Sequence, residues 1–112
     1  MENRPKVLRT YTTDDGKTPF KTWISSFKDK RIRARILQRL DRLQLGNFGD
    51  CKSVGAGVYE LRMQFGAGYR IYFGIADSEL VILLCGGDKR SQNQDIQLAH
   101  QYWKAYQQDH AN

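Results

Sequence analysis

The stretch from Gly57 to Arg90 constrains the fold of this chain more than any other. Val58 to Phe65 alternates in polarity, Gly66-Ala67-Gly68 interrupts it, and Tyr69 to Phe73 resumes the alternation. A third apolar run, Leu80 to Cys85, ends in Gly86-Gly87-Asp88-Lys89-Arg90. Short β-branched and aromatic runs separated by glycine turns predict consecutive strands of an antiparallel meander. Strand alternation assigns Tyr59, Leu61, Met63 and Phe65 to one face and Val58, Glu60, Arg62 and Gln64 to the other. In the second strand Tyr69, Ile71, Phe73 and Ile75 form the apolar set, opposite Arg70 and Tyr72. The third run is apolar on both faces, which predicts a central strand beside the second strand and the first strand of the chain or a covering helix. One sheet face is thus expected under helices, the other to carry Glu60, Arg62, Arg70 and Tyr72 at partly open positions.

The flanking segments supply the remaining elements. Val7 to Thr13 reads as a first strand, ended by the turn residues Asp14-Asp15-Gly16-Lys17. Thr18-Pro19 is a helix start, with Phe20, Trp23, Ile24 and Phe27 on one face. A second helix is predicted from Lys30 to Leu45, stopped at Gly46, with Ile32, Ile36, Leu37, Leu40 and Leu43 as its apolar side. Arg31, Arg35 and Arg42 line its opposite side with Gln38, either as a solvated face or as a surface for a phosphate backbone or an acidic partner. Asn47 to Ala56 reads as a polar loop. Ser91 followed by Gln94 predicts a capping box opening a last helix, whose broad apolar face holds Ile96, Ala99, Trp103 and Tyr106, with His100 at its edge.

A chain of 112 residues suits one domain with a single modest core. Its 18 Lys and Arg against 12 Asp and Glu give a formal charge of +6, compatible with a polyanionic or acidic partner or with a merely soluble basic protein. No apolar run is long enough to span a membrane, and the N-terminus lacks the apolar core of a signal peptide, so a cytoplasmic location is expected. Cys51 and Cys85 fit neither a disulfide framework nor a zinc site and are expected as free thiols.

Chemistry is suggested by the cations of the meander. Arg62 and Arg70 sit within strands, and Lys89 and Arg90 leave the third. Several cations converging on one surface suit a phosphodiester and its more highly charged transition state. RNA cleavage further needs groups to accept the 2′-OH proton and to protonate the 5′-oxygen, for which Glu60 and Lys89 are the candidates. Tyr72 or Tyr59 suits base stacking. The residues leave open whether Glu60 with Arg62 or Arg70 is an active site or a cross-strand salt bridge. No metal or cofactor pattern is present.

The motifs Val58-Tyr59-Glu60-Leu61-Arg62, Gly68-Tyr69-Arg70-Ile71-Tyr72-Phe73 and Leu83-Leu84-Cys85-Gly86-Gly87-Asp88-Lys89 occur in this order. With Ser91-Gln92, Asp95-Ile96, Ala99, Tyr102-Trp103, the early Thr-Pro-Phe-x-x-Trp and Ile-Arg-Ala-Arg-Ile, they resemble the HigB-like, phage-derived addiction module killer proteins of the RelE/ParE toxin superfamily. The resemblance spans about Val7 to Tyr106. It implies an α+β, RelE-like fold: an N-terminal strand and helical hairpin on an antiparallel meander, with a C-terminal helix. It also implies the toxin of a type II toxin-antitoxin pair that inhibits translation by metal-independent, ribosome-dependent mRNA cleavage. Arg62, Arg70, Lys89 and Glu60 would be its catalytic set, and Arg90, Tyr72 and Ser91 its RNA contacts. The implied partners are mRNA, the ribosome and a cognate antitoxin with a helix-turn-helix domain, bound in part through Arg31, Arg35 and Arg42, with operator DNA reached only through that antitoxin. No metal or cofactor is implied. Glu60 stands where the best-known RelE enzyme has a lysine, and that enzyme's catalytic tyrosine has no equivalent near Ile96. ParE relatives share the fold and poison DNA gyrase, so a gyrase inhibitor and a non-catalytic antitoxin-binding module are the alternatives.

Overall fold

The computed structural model describes residues 4–111; Asn112 and the first three residues, part of the N-terminal stretch read above for a leader, lie outside them. In chain order the elements are β1 (Val7–Thr10), α1 (Pro19–Ser25), α2 (Lys30–Gln44), β2 (Cys51–Ser53), β3 (Val58–Arg62), β4 (Arg70–Asp77), β5 (Leu80–Gly87) and α3 (Gln92–Asp109). The α+β class and the expected succession of elements hold. The strands form one sheet in the order β1-β5-β4-β3-β2. β1 runs parallel to β5, with Val7 opposite Leu80 and Thr10 opposite Leu83, and every other pairing is antiparallel. The doubly apolar β5 is an interior strand between β1 and β4, in keeping with its composition.

Local signals explain most boundaries. Pro19 opens α1 where its missing N–H costs nothing, although the Thr18 side chain makes no capping bond. Asp29 caps α2 by accepting from the Arg31 amide at 2.9 Å. Gly46, in the left-handed region at φ 90°, closes α2 by donating to the Leu43 carbonyl at 2.9 Å. The capping box at α3 is replaced by another bond: the Ser91 hydroxyl donates to Asp95 at 2.5 Å, one turn on, rather than engaging Gln94. β2 lies inside the segment read as a loop. It is a three-residue edge strand of Cys51, Lys52 and Ser53, too short and polar to show a period.

Both sheet faces are covered. α1 and α2 close one over Phe20, Ile36, Leu40, Leu43, Leu61, Ile71, Phe73, Val81 and Leu83. α3 closes the other over Tyr11, Val58, Tyr72, Ile82, Leu84, Ala99 and Trp103. A register shift between Tyr72 and Phe73 leaves Leu84 as the extra residue of β5, which turns Cys85 onto the α3 face. Two glycines let tryptophans lie directly on the backbone. A Cβ on Gly86 would come 2.2 Å from the Trp23 ring of α1, and one on Gly74 would come 2.3 Å from the Trp103 ring of α3.

This corrects the expectation of a partly open second face. Glu60 and Tyr72 have no solvent exposure, because α3 lies over them. The broad apolar side of α3 needs a sheet face of its own, the first face being taken by the hairpin.

Candidate phosphodiester site

The register of the meander sets the cations. Glu60 is opposite Tyr72, Arg62 is opposite Arg70, and Arg70 is in turn opposite Gly87 of β5. Two arginines facing one another repel, and each is relieved by its own carboxylate. Arg62 bonds Asp50 through Nε at 3.2 Å and Nη2 at 2.9 Å. Gln64 donates to the other Asp50 oxygen at 2.6 Å; that bond first, and then Arg62, hold the Asp50 carboxyl below its usual range.

Arg70 is held from beneath. Its Nε lies 3.5 Å from Glu60 Oε2, the same oxygen that accepts from Tyr72 Oη at 3.0 Å and from Gln92 Nε2 at 2.9 Å. Glu60 Oε1 and Arg70 Nε have no hydrogen-bond partner. Burial, and then the charge of Glu60, push the Tyr72 phenol far above its ordinary range, so it stays a donor. Gln92 ties this buried network to the first turn of α3.

Arg70 Nη1 donates to the Gly68 carbonyl at 2.6 Å. Gly68 takes φ 73°, and a Cβ there would stand 3.2 Å from Arg70 Nη1 and 3.3 Å from Lys89 Cβ. A bare backbone at this turn is what brings Arg70 and Lys89 to its two sides. The Lys89 amide donates to the Ala67 carbonyl at 3.2 Å, fixing the strand exit against the turn. Lys89 and Arg90 are exposed and line a cleft of about 670 Å³ with Met63, Gln64, Phe65 and the glycine turn. Asp88 shapes the exit by accepting from the Arg90 amide at 2.9 Å and the Ser91 amide at 3.3 Å. Burial raises the Asp95 carboxyl beside Ser91, against the opposing effect of the Ser91 hydrogen bond.

A second cleft, of about 660 Å³, lies against α2. Arg35, Gln38, Arg39 and Arg42 form one wall and Gly49, Asp50, Arg62 and Met63 to Phe65 the other. The predicted arginine line is therefore divided. Arg35 and Arg42 line the cleft, whereas Arg31 is outside it, exposed and 3.9 Å from Asp29. Arg39 had no place in the sequence reading. It lies seven residues past Ile32 and three past Ile36, within the apolar stripe of α2, and an arginine in such a stripe was the available signal.

Of the predicted residues, Arg62, Arg70, Lys89 and Arg90 gather around the Met63–Gly68 turn. Glu60 and Tyr72 sit beneath α3, where the buried Tyr72 ring presents no free face to a base. Ser91 is engaged with Asp88 and Asp95. His100 is structural in geometry, its Nε2 lying 2.9 Å from the Val54 carbonyl. Cys51 and Cys85 are free, and burial pushes their thiols up to about 11 and about 12. Among the described residues no three His, Cys, Asp or Glu side chains gather as a metal site, and no helix is long and apolar enough to cross a membrane.

Residues 22–104 match the family model described as phage derived protein Gp49-like (DUF891). The chain belongs to the Gp49-like family. That match runs from α1 to α3 and includes both clefts. A relative from Haemophilus influenzae, described as an uncharacterized protein, is 52% identical over 80 residues, which cover 71% of this chain and 81% of the relative.

Proposed function

We propose that this Gp49-like protein is the toxin of a type II toxin-antitoxin pair and arrests translation in the cytoplasm by cleaving mRNA. The observation that carries the proposal is the Gly68 turn, which sets Arg70 and Lys89 on its two sides, with Lys89 and Arg90 lining an open cleft and Arg62 opposite Arg70 across the strands. In this reading the RNA 2′-oxygen attacks the neighbouring phosphorus and the P–O5′ bond breaks, leaving a 2′,3′-cyclic phosphate and a 5′-hydroxyl. Lys89 gives a proton to the departing 5′-oxygen, and the 2′-OH proton leaves to water. The guanidiniums stabilise charge on the pentacoordinate phosphorus, an effect worth about 3 kcal/mol per well-aimed donor.

Glu60 takes a different part from that of a general base. Its carboxylate is sealed under α3, so it acts as a positioning residue for Arg70. Among the described residues no carboxylate or histidine lines the Lys89–Arg90 cleft, and this favours a reaction completed on the ribosome, which would present the 2′-OH in attacking geometry. A cognate antitoxin would cover the same basic surface, with Arg35 and Arg42 among its contacts.

The test is to induce the protein and map mRNA 5′ ends during arrest, then repeat with purified protein, ribosomes and message. New 5′-hydroxyl ends that need the ribosome are expected. Growth arrest with intact mRNA sinks the proposal, and inhibited supercoiling in a parallel gyrase assay would redirect it to DNA gyrase.

A further inference from the structure

Apart from Arg62, the cleft against α2 takes no part in the reaction above, yet it holds an unusual group. Arg39 is only 5% exposed. Its Nη2 donates to the Phe48 carbonyl at 2.5 Å, its Nη1 has no hydrogen-bond partner, and no carboxylate among the described residues forms an ion pair with it. Asp50 acts on it only at a distance; a buried guanidinium with no carboxylate paired to it is costly, and an external anion would supply what it lacks. Burial first, and then neighbouring Arg42, depress its pKa. Gly49, at φ 60°, presses bare backbone against the group; a Cβ there would stand 2.6 Å from Nη2.

The surroundings share its sign. Arg35 lies over the Phe65 ring at 3.9 Å, and Arg42 is exposed on the same wall. Asp50, the one carboxylate among the described residues lining the cleft, is already occupied by Arg62 and Gln64. The cleft also shares Met63, Gln64 and Phe65 with the Lys89–Arg90 cleft, so the two flank one short segment. Three residues span no more than about 11 Å, which a nucleotide or two of extended strand bridges.

We infer that the α2 cleft binds a phosphodiester of the same RNA strand, next to the linkage held at Lys89, with Arg39, Arg35 and Arg42 donating to its oxygens. This rests on the RNA reading of the previous subsection. Continuity between the clefts favours a strand of regularly spaced charge over an acidic peptide, and planar guanidinium forks match phosphate oxygens. A bound phosphate would complete the hydrogen bonding of Arg39 Nη1.

The experiment uses the full chain and a labelled 2′-O-methyl oligouridine of about 12 nucleotides, which cannot be cleaved, with anisotropy followed across a salt series. Arg39→Gln and Arg42→Gln are each expected to weaken binding about tenfold. Each should also flatten the slope of log K against log salt by about 0.7, the value for one lost single-strand contact. Arg31→Gln, outside the cleft, should move neither. Because Arg39→Gln perturbs a buried residue, exposed Arg42→Gln carries the decision if the first does not fold. A folded Arg42→Gln with wild-type affinity and slope overturns the inference, as does a wild-type protein that does not bind the oligonucleotide. Arginine-dependent binding of polyglutamate without binding of the oligonucleotide overturns it too, in favour of an acidic peptide. Arginine-dependent binding without ribosomal cleavage keeps the site and removes the reaction, whereas cleavage and binding indifferent to these arginines do the reverse.

Discussion

Replacing Glu60 by glutamine tests how the cationic site is built. The Glu60 side chain has no exposure, accepts from Tyr72 and Gln92 on one oxygen, and lies 3.5 Å from Arg70 Nε. An amide oxygen in that place still accepts both bonds, so Glu60→Gln removes chiefly the charge opposite Arg70. Breaking a buried pair from one side costs about 3–5 kcal/mol. The Arg70 side chain keeps 14% exposure and the Gly68 carbonyl, so the lower end applies, about 3 kcal/mol. With a urea m-value of about 1.5 kcal/mol/M, the unfolding midpoint should fall by about 2 M. Arg70→Gln should cost at least as much, since it strands a fully buried carboxylate. The double variant removes both charges, and its cost should fall short of the sum by about 2 kcal/mol or more. A double-mutant cycle on urea midpoints measures this coupling. Additivity within about 0.5 kcal/mol would refute the view that Glu60 holds Arg70.

Gly68→Ala should cost about 1–2 kcal/mol, from its positive φ and the crowding of Arg70 and Lys89, and should reduce cleavage more than tenfold at temperatures where the variant stays folded. Gly74→Ala places a Cβ 2.3 Å from the Trp103 ring, so α3 must shift; a loss of about 3 kcal/mol and a changed tryptophan emission are expected, whereas an unchanged melting temperature would contradict the packing. The thiols of Cys51 and Cys85 should resist a thiol reagent at pH 8 until the protein is unfolded in urea. Their folded pKa values lie above the ordinary 9.0, so their contribution to stability is complete below pH 9 and is lost as pH rises through about 11 and 12. Cys85→Ala should therefore soften the alkaline decline in stability.

Much of the architecture was legible because periodicity reports directly on local geometry. The alternation of Val58 to Phe65, the glycine turn and the doubly apolar β5 sufficed for the meander, and Pro19 and Gly46 marked helix ends. β2 escaped because a three-residue edge strand owes its form to its pairing with Tyr59, Glu60 and Leu61. The burial of Glu60 escaped for a related reason: alternation states which residues share a face, not which layer covers it. Arg39 sat in an apolar stripe, but only the approach of Phe48 and Gly49 turned that oddity into a buried guanidinium.

By itself the sequence determined the elements, the net positive charge and the cations that leave or interrupt the strands, since these depend on residue type and spacing along the chain. Tertiary structure decided which groups share a site. Arg70 and Lys89 are far apart in sequence and meet because the register of β4 with β5 and the missing Cβ of Gly68 bring them to one turn. Glu60 became a buried support rather than an exposed base because the apolar side of α3 had to cover that sheet face.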